Sequence, residues 1–407
     1  MGHERHPDGH GPAATVRSGV PGRSTQGAGC SLDAAARSAL VPVVIRGVAR
    51  ILLSTWIAAI GVLAFTPAAS AGTVEAAGAD LDFTARSGEA NEVTLALTSH
   101  SRGTVTIRVA DAGADLEAGP GCVAVTAREA SCEIAGTSRP RIAWIRVYLG
   151  DEDDSLIADI PCDLADIYCE FEADGAGGND HLVGRPDEID YLYGGEGNDL
   201  LEGRAGAECL PRGPRPRCVG DHLSGGAGDD LLRGGAGNDE FDPGEGADSI
   251  HGGAGRYDKV WYHLAGAGVR VELDDLANDG PPGERDNVRS DVEVVFGSPG
   301  DDTLIGTTRR NVLEGADGND RIFGRGGNDR LSGDWGRDLV VGGRGNDDLL
   351  LGRGRDRGYG GTGDDSIYAR EQHNVVRVVD TIDGGSGSDR GRVNPWDRVS
   401  RIEKFIP

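Results

Sequence analysis

The chain has 407 residues, of which 38% are hydrophobic and only 5% aromatic, so a thick apolar core of the usual kind is excluded. Its 67 acidic residues outweigh 41 basic ones and leave a formal charge of −26. That balance argues against nucleic acid or an anionic membrane as the main partner and makes divalent cations the natural counter-charge.

Residues 1–45 precede the export signal and read as a leader upstream of the true start codon, with an unusually long leader as the alternative. Residues 46–71 read as a signal peptide. Arg46 and Arg50 flank the apolar run "ILLSTWIAAIGVLAF", and "TPAASAG" supplies a small-residue site for cleavage after Ala71. A membrane anchor is the alternative, since residues 51–74 carry no charge. The short run followed by Pro67 fits cleavage better. In either case the basic flank stays inside and the rest of the chain is exported, to the medium or a bacterial cell surface. Seven cysteines are present, and Cys30 lies before the cleavage site. The other six are close neighbours in sequence: Cys122 with Cys132, Cys162 with Cys169, Cys209 with Cys218. Outside the cytoplasm three local disulfides are the simplest pairing, and a zinc site fits the spacings poorly.

Residues 72–173 contain "NEVTLALTS", "GTVTIRVAD", "CVAVTA" and "RIAWIRVYL", which alternate apolar with polar and are rich in Val, Ile and Thr. They predict a small antiparallel β domain that caps the remainder of the chain.

From there a nine-residue period, G-G-x-G-x-D-x-U-x with U apolar, takes over. The first array, 174–260, includes "GAGGNDHLV", "GGEGNDLLE", "GGAGDDLLR" and "GGAGNDEFD". It is broken by one-residue insertions before Asp190 and Asp258 and by the outgrowth "ECLPRGPRPRCV". Residues 261–296 alternate at Val269, Val271 and Leu273 and hold a Pro-Pro loop, which predicts a hairpin-like β spacer. The second array, 297–368, starts its nonapeptides at Gly297, Gly306, Gly315, Gly324, Gly333, Gly342, Leu351 and Gly360 without insertion. Asp fills its sixth place except at Asn311, and the apolar place fails only at Gly358. Residues 369–407 form a C-terminal cap that includes a degenerate copy with Asp389. Disorder would not preserve such register.

In D-x-U-x the side chains alternate faces as in a short strand, and the Gly-rich stretch suits a turn with positive φ and close backbone approach. Two units make an 18-residue coil, and stacked coils give two parallel ladders with U inside. Burying one Leu contributes about 1.5–3 kcal/mol, far less than ordering nine residues costs. Stacked carboxylates also repel. Folding should therefore require a cation. Carboxylates and turn carbonyls are hard oxygen donors with flexible geometry, which suits Ca²⁺ over Mg²⁺, zinc or copper.

These nonapeptides resemble the repeats-in-toxin (RTX) calcium-binding repeats, also called haemolysin-type repeats. The resemblance implies an all-β fold, a parallel β-roll with several Ca²⁺ ions held between successive turns. It carries ligand roles onto Asp180, Asp199, Asp221, Asp230, Asp239 and Asp248 in the first array. In the second array it carries them onto Asp302, Asp320, Asp329, Asp338, Asp347, Asp356 and Asp365. Gly315, Gly318, Gly324, Gly342 and Gly345 would contribute carbonyls or their turn conformation. Asn311, Asp190, Asp258 and the "LGRGRDRGY" copy depart from the pattern.

Neither H-E-x-x-H nor G-x-S-x-G occurs, and residues 72–174 are too few for most hydrolase folds. The expectation is an exported, non-enzymatic calcium-binding protein of structural or surface-interaction type, with no membrane span once the signal is removed. A secreted hydrolase or toxin-related protein with an unrecognised active site, and a cell-surface adhesin, are the alternatives.

Overall fold

The computed structural model describes residues 71–406 apart from 102–103, 136–141, 161–167, 187–188, 205–219 and 370–377. The expected leader and all but the last residue of the expected signal peptide lie outside the described residues, as do Cys162, Cys209, Cys218 and the Cys169 side chain.

Each D-x-U-x unit forms a short strand whose apolar residue points inward, and the described residues contain strands and turns without helix. Successive nonapeptides alternate between two sides. One side is a single 16-stranded sheet running from Leu116–Ala118 at the N-terminal end to Lys404–Phe405. The other is formed by a ten-stranded sheet and then a seven-stranded one. A three-stranded ribbon of Asp317–Gly318, Trp335–Gly336 and Arg353–Gly354 runs along one line of turns. Apart from the N-terminal part the ladders are parallel and in register. Leu223, Phe241, Val260, Val295, Leu313, Leu331, Leu349 and Ile367 make one row of the large sheet. All are buried in one core cluster with Leu232, Ile250, Leu304, Ile322 and Val340 of the other side. The fold is thus a parallel β-roll whose core receives about one side chain per nonapeptide.

The N-terminal part is mixed. Gly72–Ala77 with Asp80–Thr84, Glu92–Ser101 with Thr104–Asp111, and Glu129–Ala135 with its two neighbours are antiparallel. Asp80–Thr84, however, pairs parallel with Ile142–Tyr148, and Glu92–Ser101 with Ser155–Asp159. These inner strands are the first rungs of the roll, so the N-terminal part continues both sheets, which end at Leu116–Ala118 and Cys122–Thr126.

Residues 261–296 fold as an excursion within the stack, and antiparallel bridges join Arg270 with Gly280 and Asp279 with Asp286 inside it. Lys259–Trp261 pairs directly with Val294–Phe296, and the large sheet continues unbroken through both arrays. Opposite, the excursion supplies Asn287–Val288, the last strand of the ten-stranded sheet, and Arg270–Glu272, the first of the seven-stranded one. Val269, Val271 and Leu273 are buried because the excursion fills the roll rather than projecting from it.

Two departures in the second array cancel each other. Leu351 stands where a turn glycine is expected, and Gly358 where the apolar residue is expected. The Leu351 side chain is fully buried, and its Cδ atoms lie 2.8–2.9 Å from where a Cβ on Gly358 would stand. One coil therefore draws its core side chain from the turn instead of the strand.

Candidate metal centre

The turns are shaped by glycine for two separate reasons. Gly345, in the fourth place, has φ 125°, and a Cβ there would overlap the Gly327 carbonyl one coil earlier, which leaves no room for a side chain. Gly324, in the first place, has ordinary backbone, but a Cβ there would strike Asp329 Oδ2 and come within 2.6 Å of the Gly342 carbonyl oxygen. The same convergence of an Asp oxygen and a carbonyl from the next coil recurs at Gly175, Gly194, Gly225 and Gly342. Each is an oxygen-lined cradle that exists because the side chain is missing.

The repeat aspartates stack into files. Asp329 Oδ1 accepts the N–H of Asn311 at 2.8 Å, and the Asp329 N–H donates to Asp347 Oδ1 at 2.9 Å. Asp347 in turn donates to Asp365 Oδ1. Asp302, Asp320, Asp338 and Asp356 form the matching file of the opposite turns. In the first array the files are Asp180, Asp199, Asp230, Asp248 and Asp221, Asp239, Asp258. Each of these carboxylates thus uses one oxygen to hold the preceding coil in register. Its second oxygen is buried and makes no hydrogen bond in Asp180, Asp199, Asp221, Asp230, Asp239, Asp248, Asp320, Asp329, Asp338, Asp347 and Asp365. A buried oxygen left in this state is costly unless a cation meets it.

Burial drives these carboxyls away from their ordinary acidity. It pushes Asp180, Asp230, Asp320, Asp329 and Asp365 up to about 7, and Asp338 and Asp239 up to about 6. Asp248 rises to about 8, through burial first and then the charges of Asp286, Asp230 and Glu284. Asp221 is raised by burial and by its neighbours Asp190 and Asp239. The ionised array needs a counter-charge inside it.

Among the described residues no three His, Cys, Asp or Glu side chains converge on one point. Donors beyond the carboxylates must then be backbone carbonyls, such as those of Gly315, Gly324 and Gly342, which face the cradles of Gly297, Gly306 and Gly324. One acidic oxygen with carbonyls around it suits a hard, flexible cation such as Ca²⁺ and serves zinc or copper poorly.

At three file positions the side-chain oxygens are engaged within the protein. Asp302 has both oxygens taken within the protein: Oδ2 accepts the Ser298 N–H at 2.7 Å, and Oδ1 accepts the Ser298 hydroxyl at 2.7 Å. Asn311 Oδ1 is likewise held by Thr307. Asp190 joins its file by donating its N–H to Asp221 Oδ1 at 2.9 Å, and it is paired with Arg185, whose Nε lies 2.6 Å from Oδ1. Both side chains of that pair are fully buried. At this coil the protein supplies its own cation.

Other members of the files escaped the nonapeptide pattern. Asp154 accepts the Asn91 N–H at 2.6 Å and donates to Asp180 Oδ1 at 2.8 Å, so it extends one file into the N-terminal part. Asp258, despite its insertion, and Asp389 each have a buried second oxygen without a hydrogen bond. Asp286 continues the file beyond Asp248, with its other oxygen bonded to the Tyr262 hydroxyl at 2.8 Å. The signal that could have found Asp154 and Asp286 is D-x-U alone, in "DSL" and "DNV", without the glycines.

Fold and turns together define a parallel β-roll with stacked acidic turns built for hard cations. Residues 174–207, 220–250, 244–256, 296–331, 314–349, 332–367 and 350–377 match the family described as RTX calcium-binding nonapeptide repeat (4 copies). These segments carry RTX calcium-binding nonapeptide repeats, which on this fold indicate a calcium-binding β-roll protein. The matches leave out residues 257–295, where the chain makes its excursion. No curated protein matches the chain.

Proposed function

We propose that the chain is an exported β-roll protein whose folding is coupled to Ca²⁺ and whose role is structural or surface-interacting rather than catalytic. Ions sit between successive turns, held by the second oxygens of the file aspartates and by carbonyls of turn glycines. The observation that carries this reading is the buried Oδ2 without a hydrogen bond that recurs along the files, as at Asp320, Asp329, Asp338 and Asp347. Asp320, Asp329, Asp338 and Asp347 rank as the strongest sites, and Asp302 as the weakest because Ser298 occupies its oxygens. Export is supported by the sequence of residues 46–71 and by Cys122 and Cys132, which face each other across neighbouring strands. An oxidised pair there suits an extracellular location.

The test is circular dichroism and calorimetry of the chelated chain during a calcium titration. Calcium should restore the β signal and a cooperative unfolding transition together. A β signal and transition indifferent to calcium would overturn the coupling.

A further inference from the structure

The outward side of the 16-stranded sheet gathers aromatic rings over five neighbouring strands. Tyr191 and Tyr193 stand on Asp190–Glu196, Trp261 on Lys259–Trp261 and Phe296 on Val294–Phe296. In a chain with 5% aromatic residues this concentration calls for a cause. Core packing is not the cause, because the inward positions of the same strands are filled by Leu192, Val260 and Val295. Tyr193 is exposed and the other three rings are half-buried, so part of this apolar surface is open to a ligand.

The strands between these rings carry short side chains. Tyr193 is in register with Ser224, and Ser224 with Asp242, with Trp261 on the strand beyond. The tyrosine and tryptophan are therefore three strand spacings apart, roughly 14 Å. Between them the surface dips into a trough of about 410 Å³, within the range of small-molecule sites. Its aromatic walls are held in place. Trp261 stacks on Phe296 with centroids 3.8 Å apart and planes 8° from parallel, and Tyr191 stacks on His222 at 4.8 Å.

The polar groups of the trough are mixed in sign. Glu240 is ion-paired with Lys259, and His222 Nδ1 lies 3.5 Å from its carboxylate. Asp242 and His263 complete the lining. With Glu240 neutralised, the trough lacks the concentrated negative charge that would select a cation. Asp242 and the overall charge of −26 repel an anion. What remains is a set of hydrogen-bond donors and acceptors between flat apolar faces, which complements a neutral ring bearing hydroxyls on its edge and C–H bonds on its face.

We propose that this trough binds a neutral hexopyranose unit of a glycan, its C–H face stacked on Trp261 or Tyr193 and its hydroxyls bonded to Asp242, Glu240 and His222. The surface is separate from the acidic turns and goes beyond their calcium role.

The experiment is calorimetry on the calcium-saturated full chain, titrated with cello-, manno- and chito-oligosaccharides, with oligogalacturonate and tetramethylammonium as charged probes. At least one neutral series should bind and oligogalacturonate should not. Trp261→Ala and Tyr193→Ala should each weaken binding about tenfold. Tyr193→Phe keeps the ring and should retain affinity, as should Trp335→Ala, whose exposed ring lies on the separate three-stranded ribbon. Circular dichroism with calcium checks that each variant folds. If Trp261→Ala does not fold, the exposed Tyr193 carries the test alone. Absence of binding by every neutral series, affinity unchanged in Tyr193→Ala, or preference for tetramethylammonium would overturn the proposal. Because calcium is saturating throughout, such a failure would leave the calcium-coupled fold standing.

Discussion

A file aspartate serves two opposed ends, and Asp329 separates them. Its Oδ1 holds the Asn311 N–H, and its Oδ2 faces a cradle with no hydrogen bond. Asparagine has an oxygen of the same reach and can keep the first role without the buried charge. Asp329→Asn should therefore raise the melting temperature of the chelated protein at pH 8 while lowering that of the calcium-loaded protein and the amount of calcium bound. Calorimetry and equilibrium dialysis would check this, and a fall in both melting temperatures would show that the carboxylate is needed for register alone. The pH dependence has a definite sign. Burial raises Asp180, Asp230, Asp320, Asp329 and Asp365 to about 7, above the ordinary value of 3.8. Between those limits the folded chelated state binds more protons than the unfolded state. Its stability from these groups is full below about pH 4 and is lost as pH rises through about 6 to 8. Denaturant midpoints of the chelated protein should thus fall from pH 5 to pH 8, and calcium affinity should rise over the same range. Asp residues were legible in the sequence because glycines precede them at a fixed interval. The fate of their oxygens was not: Ser298 closing on Asp302, and Arg185 on Asp190, depend on loop paths that spacing does not specify.

At the scale of the coil, the period of 18 set by Gly, Asp and one apolar residue was readable, and the ladders keep it through Leu313, Leu331, Leu349 and Ile367. Exchanges within a coil were not readable, since a one-dimensional pattern marks Leu351 and Gly358 as two faults. In space they are one substitution. Leu351→Gly should destabilise the calcium-loaded protein by about 2–4 kcal/mol through the cavity it leaves. Gly358→Leu should destabilise it by about 1–3 kcal/mol, because the new side chain meets the Leu351 methyls. The double variant, which recreates the regular pattern, should recover most of both losses. Denaturant unfolding of the four proteins gives the coupling, and additive losses would mean that the two positions do not share the same space. The path of the excursion at 261–296 was not readable for a related reason. Its alternating valines fit a hairpin or a coil equally well, and what decides is Val294–Phe296 pairing back onto Lys259–Trp261 across an interval no periodicity marks.

Over the whole molecule, that same pairing makes the two arrays one ladder. In a stack where each coil touches only its neighbours, cooperativity depends on the weakest junction. The junction here is a continuous strand pair backed by buried Tyr262, Val269, Val271 and Leu273. Calorimetry of the calcium-loaded chain should show the arrays melting in a single transition, and two resolved transitions would contradict the continuous sheet. The buried Arg185 and Asp190 pair gives this stack a polarity. Removing one partner of such a pair costs about 3–5 kcal/mol, so Arg185→Ala should weaken the N-terminal end even when calcium saturates the other turns. The guanidinium also lies over the Phe171 ring, beside the rungs that continue into the cap. A counter-ion that is part of the chain cannot be chelated away and arrives at no diffusional delay. The coil that carries it should therefore keep its amide protection after chelation while the calcium turns lose theirs, which hydrogen exchange of the chelated chain would show.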